Sequence, residues 1–194
     1  TFVKYKTETN LDVGDRANDI IRIDAKELQV KVVGEGGNLG FTQLARIAYS
    51  KQGGLINTDA IDNSAGVNCS DNEVNIKVLL NDVVSCGDMT EKQRNKLLSE
   101  MSEEVAEIVL SNNIKQNMAI TIAQAQAASN LRLHARLIKE LEEIANLDRE
   151  LEFLPNKEEI EERKNNNVGL MRPEISVVLA YTKIQLKEEI LNTD

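Results

Sequence analysis

Apolar and polar positions alternate over residues 28–33, the run ends in β-branched Val32 and Val33, and it passes straight into Gly34, which predicts a strand entering a tight turn. The period then changes. Over residues 42–51 apolar side chains stand at Leu44, Ile47 and Ala48, one helical face, and Gly53 and Gly54 supply the stop. Leu55 and Ile56 read as a second, minimal strand. From Glu73 the positions Val74, Val78, Leu79 and Val83 recur with a helical period, and Ser70 or Asp71 is placed to cap a helix beginning there. Cys86-Gly87-Asp88 breaks that pattern and marks a boundary between residues 1–85 and 86–194. Beyond it, Thr90 to Gln93 spell a capping box, and Ser102 is placed to cap another helix through Val105, Ile108 and Val109. A long helix is expected over residues 115–145, with Ile122, Leu131, Ile138, Leu141 and Ile144 inward. Pro155 and Asn156 introduce a short acidic helix, and Pro173 opens a last one through Val177, Val178, Tyr181 and Ile184. Residues 1–8 alternate at Val3, Tyr5 and Thr7, as an edge strand or the remnant of one does. No internal repeat emerges.

The dense run of glycines, amides and acids falls between residues 32 and 75. Gly34, Gly36 and Gly40 are spaced G-x-G-x-x-x-G, one residue longer than the dinucleotide fingerprint, and Asp59 lies too far on to be its ribose acid. A glycine turn at a strand end explains the same residues. A second polar turn, D-N-S-A-G, follows Leu55 and Ile56, so two such turns each come after a strand candidate and before a helix. In an open parallel sheet turns of this kind gather at the carboxyl edge, where ligands bind.

E-G-G-N at residues 35–38, with N-S-A-G-V-N-C-S-D-N-E at residues 63–73, resembles the E-G-A-N and N-A-G-G-V-x-V-S-x-x-E segments of glutamate dehydrogenases. The wider text, G-E-G-G-N-L-G, I-N-T-D-A-I-D-N-S-A-G-V and S-D-N-E-V-N-I-K, is more similar to the large multidomain bacterial NAD-specific branch. M-R-P-E-I-S-V-V-L-A-Y extends the likeness towards the end of the chain. The resemblance implies an α/β fold: a partial Rossmann-like nucleotide-binding domain with an incomplete parallel sheet over residues 1–85, followed by an all-helical region. It implies NAD as cofactor, L-glutamate and 2-oxoglutarate as substrate pair, and a homo-oligomeric, cytoplasmic full-length enzyme.

By position, Gly36, Gly37, Asn38 and Asn63 match the nicotinamide side of the cofactor site, and Ser70 matches the serine that holds the glutamate side-chain carboxylate. The chemistry suits those roles. A neutral amide offers donors and an acceptor without adding charge beside a hydride-transfer centre, and a hydroxyl donates to an anion as a carboxylate does not. Read from the residues alone, Asn38 serves equally as a turn former, Asn63 as an Asx-turn and Ser70 as a helix cap. Gly37 for Ala, Ser64-Ala65 for Ala-Gly and Cys69 for Val depart from the pattern without removing a polar group. In the family the catalytic lysine and its aspartate lie in an upstream substrate domain, so no catalytic residue is expected here and this stretch alone should be inactive. A G-D-x-A-N-D resemblance at residues 14–19 leaves the roles of Asp15, Asn18 and Asp19 open. Asp59 and Asp62 form an acid pair; general acid–base work would need one shifted by burial or like charge, whereas turn carboxylates commonly stay solvated or cap backbone.

Composition narrows the field further. Of the 194 residues 41% are hydrophobic but only 3% aromatic, so packing rests on aliphatic side chains, which suits helices. A formal charge of −9, with no basic cluster or stacking platform, argues against a nucleic-acid partner. Cys69, Cys86 and the single His134 form no metal-ligand spacing, so no metal is expected, and His134 reads as structural. No run is long enough for a membrane span, and the first residues lack the order of a secretory signal. The chain begins without Met, and on the resemblance both ends are expected to lie inside a longer polypeptide. The competing reading is a non-catalytic helical assembly module, supported by the acidic, amphipathic second half.

Overall fold

The computed structural model describes residues 1–193. In order, the chain forms β1 (Val3–Lys4), α1 (Asn10–Val13), β2 (Ile23–Asp24), α2 (Gln43–Lys51), α3 (Asp59–Asp62), α4 (Ser64–Ser85), α5 (Glu91–Ala125), α6 (Leu131–Ile144), α7 (Lys157–Asn165) and α8 (Arg172–Leu191). Two 3-10 turns, Arg16–Asn18 and Ala25–Glu27, stand on either side of β2.

The partial Rossmann-like domain expected from the resemblance is not what forms: the structure is 64% helical, and the sheet among the described residues has two parallel strands of two residues each. The strand expected over residues 28–33 does not form: the chain bends at Lys31 and pairs through a single parallel bridge, Val32 with Leu55, in which the Val33 N–H donates to the Leu55 carbonyl at 2.9 Å and the Leu55 N–H to the Lys31 carbonyl at 3.0 Å. A buried parallel strand must be covered on both faces. Here Val30, Val32 and Leu55 are exposed, and only Leu28 and Val33 reach a core, so nothing favours extending the ladder.

The helix starts follow from local chemistry. Thr42 accepts from the Ala45 N–H at 3.2 Å and caps α2. Thr90 and Gln93 form the reciprocal box that opens α5, and Asn156 and Glu159 do the same for α7. Pro173 sits in the first turn of α8, where its missing N–H costs nothing. The start of α4 differs from the expected one: it begins at Ser64 and not near Glu73, so Ser70 and Asp71 are interior residues. Ser102 is likewise interior to α5, its hydroxyl donating back to the Leu98 carbonyl at 3.0 Å. The long helix expected over residues 115–145 is interrupted between Ala125 and Leu131.

Two compact units result. The first joins residues 1–62 to the chain from 118 onward. It holds two apolar clusters, one of Val3, Ala25, Phe41, Ala45, Tyr49 and Ile56, the other built around Ile120, Leu131, Ile138, Leu141, Leu154, Ile175 and Val178. Within it α8 packs on α2, α3 and α6. The second unit is residues 63–117. Its polar pairs Ser64 with Asn113, Asn68 with Asn112 and Asn81 with Arg94 run in opposite senses along the sequence, so α4 lies antiparallel to this part of α5. Among the described residues no helix is long and apolar enough to cross a membrane.

Candidate functional site

The loop over residues 34–40 is fixed from below by three carboxylates. Glu35 turns its side chain inward, is 5% exposed, and accepts from the Phe41 N–H at 3.0 Å, from Arg46 Nε at 2.6 Å and from Arg46 Nη2 at 3.0 Å. That is a buried two-pronged ion pair with the remaining acceptor capacity used by backbone. Asp59 and Asp62 stand one turn apart on α3. Asp59 accepts from the Leu39 N–H and Asp62 from the Glu35 N–H, each at 2.9 Å. The acid pair thus serves the backbone capping reading, with Asp59 also 3.3 Å from Arg46. Leu39 adopts a φ of 59°, a left-handed conformation that costs a non-glycine residue about 1–2 kcal/mol and persists because its neighbours hold it.

A second chain of bonds approaches the same loop from α8. Asn57, 7% exposed, donates to Asp62 Oδ1 at 2.6 Å and accepts from Arg172 Nε at 2.7 Å, while Arg172 Nη1 donates to Thr121 Oγ1 at 3.0 Å. Burial holds the Arg172 guanidinium below its ordinary value, and the charge of Asp62 works against that shift. Neighbouring Glu174 is fully buried and takes both prongs of Arg163 at 2.7 Å. The base of Arg172 is therefore rigid.

Above these anchors stand Gly36, Gly37 and Asn38, all exposed. A Cβ added at Gly36 or Gly37 would meet nothing within 4 Å, and neither has a positive φ, so the backbone lies open to a flat ring such as nicotinamide. An alanine fits Gly37 equally well, as in the E-G-A-N form of the motif. The protein groups present suit that ring: open backbone, an amide side chain, and no carboxylate among the exposed residues at the tip. Asn63 immediately precedes α4 without a side-chain cap bond, and its Oδ1 lies 3.3 Å from where a Gly66 Cβ would stand. Ser70 is exposed two turns further on, so it shares a helix face with Asn63, and its hydroxyl donates to the Gly66 carbonyl at 3.2 Å. It caps nothing. The structure gathers Gly36, Gly37 and Asn38 in one loop of the first unit and sets Asn63 and Ser70 on one helix of the second.

Glu35, Arg46, Asn57 and Arg172 carry the site's electrostatics and had no role assigned from sequence. One cue existed for Arg46, a cation between the inward positions Leu44 and Ile47.

His134 belongs elsewhere. With Ile120, Leu137, Val178 and Leu179 it lines an apolar cavity of about 210 Å³, and its buried Nδ1 has no hydrogen-bond partner. Burial lowers its pKa. A depressed value means that the neutral imidazole favours the fold above the unfolded pKa of about 6.5, and that this contribution is lost as pH falls through the folded value. The expected result is a proton NMR titration of His134 with its midpoint below 6.5, and a stability that drops less steeply below that pH in His134→Gln. An ordinary midpoint would remove the desolvation.

Residues 1–123 match the family described as bacterial NAD-glutamate dehydrogenase, catalytic domain. The chain is 55% identical over 193 residues to the NAD-specific glutamate dehydrogenase of Pseudomonas aeruginosa, 50% over 194 residues to that of Halomonas elongata, and 48% over 194 residues to that of Mycobacterium tuberculosis. Each alignment covers 100% of this chain and 12% of the relative. The chain belongs to the bacterial NAD-glutamate dehydrogenase family. It spans about an eighth of the length of the relatives it matches.

Proposed function

We propose that this chain is the part of an NAD-specific glutamate dehydrogenase that presents the 34–40 loop to the nicotinamide. The reaction of the whole enzyme is L-glutamate, NAD⁺ and water giving 2-oxoglutarate, ammonium, NADH and a proton. NAD supplies the hydride acceptor. The residues of this chain bind and orient, and the proton-transfer groups are assigned to other parts of the parent enzyme. Gly36 and Gly37 give the ring access to the backbone, and Asn38 offers its amide to the carboxamide or ribose. Asn63 has the matching role by position, and Ser70 donates to the distal carboxylate of glutamate. The observation that carries the reading is the loop itself: a turn anchored by three carboxylates whose Gly36–Gly37 edge has neither side-chain bulk nor charge. Exposed free thiols at Cys69 and Cys86 suit a reducing cytoplasm.

Steady-state kinetics of the full-length enzyme test this. Asn38→Ala should raise KM for NAD roughly threefold to tenfold, the value of one neutral hydrogen bond, with KM for glutamate little changed. Ser70→Ala should do the converse, weakening glutamate by about 1–3 kcal/mol if a charge-assisted bond is lost. Unchanged NAD dependence in Asn38→Ala would remove the loop from the cofactor site, and unchanged glutamate dependence in Ser70→Ala would remove the serine.

A further inference from the structure

We propose that Arg172 is a positioning residue for the 34–40 loop, acting through Asn57 and Asp62 to set the shape in which Gly36, Gly37 and Asn38 meet the nicotinamide. The inference rests on the cofactor role proposed for that loop and adds a control point at the start of α8, outside the 1–123 stretch matched by the family.

The hydrogen-bond sense of the relay is forced. An amide has one accepting and one donating end. Arg172 Nε is a donor, so the Asn57 oxygen must face it, and the Asn57 nitrogen then faces Asp62 Oδ1. Turned over, Asn57 would set its nitrogen against a guanidinium and its oxygen against a carboxylate, two repulsive contacts in a site that is 7% exposed. With Oδ1 thus occupied, Asp62 has Oδ2 left for the Glu35 N–H. Each partner fixes the next, and the last fixes the backbone one residue before Gly36. The other anchor, Glu35 with Arg46, lies within the first 62 residues and does not depend on α8.

Arginine has the required geometry because two divergent donors are used at once, Nε on Asn57 and Nη1 on Thr121. A lysine supplies a single point of charge and cannot span both partners. The position is also held from behind. Gln43 of α2 reaches the Pro173 carbonyl at 3.5 Å, and Glu174 takes Arg163. Arg172 therefore reports the seating of α8 on the loop's supports.

The test uses the full-length enzyme, with KM for NAD, KM for glutamate, kcat and thermal midpoint measured for each variant. Arg172→Gln and Arg172→Lys should each raise KM for NAD about tenfold while KM for glutamate stays within about twofold. Asp62→Asn should do the same, because its new amide nitrogen meets that of Asn57. The Asn57→Asp, Asp62→Asn double variant restores the donor–acceptor matches from Arg172 through to the Glu35 N–H and should return KM for NAD to the wild-type value. Arg172→Gln combined with Asp62→Asn should be no worse than the more affected single variant, since both break one chain. Unchanged KM for NAD in both Arg172 variants would overturn the proposal. So would parallel losses in both KM values and kcat, or failure of the swapped pair to recover. If Asn38→Ala is also silent toward NAD, the cofactor reading of the loop has failed. If Asn38→Ala acts while Arg172→Gln does not, only the relay is rejected.

Discussion

Replacing Arg46 with Met is expected to lower the unfolding free energy of this chain by about 3–5 kcal/mol, because it strands a buried carboxylate. The side chains of Glu35 and Arg46 are 3% and 7% exposed, so neither has much water to fall back on once its partner is gone. The loss should appear as a lower urea midpoint with an unchanged slope. Arg46→Lys keeps the charge but gives up the two-pronged geometry, and should fall between wild type and Met. Removing both members, in Glu35→Met with Arg46→Met, should cost less than the sum of the single changes, since no lone charge remains. A shift of under about 1 kcal/mol for Arg46→Met would mean that Glu35 is rescued by solvent, and the loop would lose its principal anchor as described.

Gly169→Ala is the second large effect. Its added Cβ would lie 2.3 Å from the Ala127 carbonyl carbon and 2.5 Å from the Ala128 nitrogen, both backbone atoms with no rotamer to yield. Overpacking a tight site costs about 1–3 kcal/mol and occasionally more, and a clash with main chain belongs at the upper end. The thermal midpoint of Gly169→Ala should fall by several degrees, as a loss of that size does in a domain this long. Gly36→Ala and Gly37→Ala are the internal controls, since their Cβ atoms enter open space and should change stability by no more than about 0.5 kcal/mol. Equal losses at all three glycines would show that chain flexibility, and not close approach, sets the cost.

The helices that were legible in the sequence are those whose ends carry their own chemistry. Thr42, Thr90, Asn156 and Pro173 each mark a start that the structure keeps, because a cap acts within one turn and needs no tertiary partner. The start of α4 was not legible. D-N-S-A-G has the composition of a turn, but Ser64 donates to Asn113 and accepts from Gln116, and Asn68 accepts from Asn112. Those side chains are engaged across the helix pair, which removes their competition with the helical backbone. The interruption after Ala125 was hidden for another reason. Ala-rich sequence favours continuation, and the break coincides with the place where Gly169 lies against Ala127 and Ala128, a contact 42 residues distant along the chain. The strand expected over residues 28–33, on which the Rossmann-like domain implied by the resemblance would be built, failed because alternation says nothing about whether both faces will be covered. For the candidate site, the motif supplies the glycines and amides only as candidates. The polar chain beneath them was not legible, because Arg172 and Asn57 meet only through folding.

The first compact unit is assembled from two stretches of chain with residues 63–117 between them. During ribosomal synthesis, Glu35 can find Arg46 as soon as α2 emerges, whereas Asn57 must wait for Arg172, 115 residues later. Non-local closures of that kind slow folding and leave apolar surface uncovered in the interval. A nascent polypeptide arrested before α8 should therefore hold its glycine turn with Asn57 still lacking its Arg172 donor, and be the form that chaperones engage.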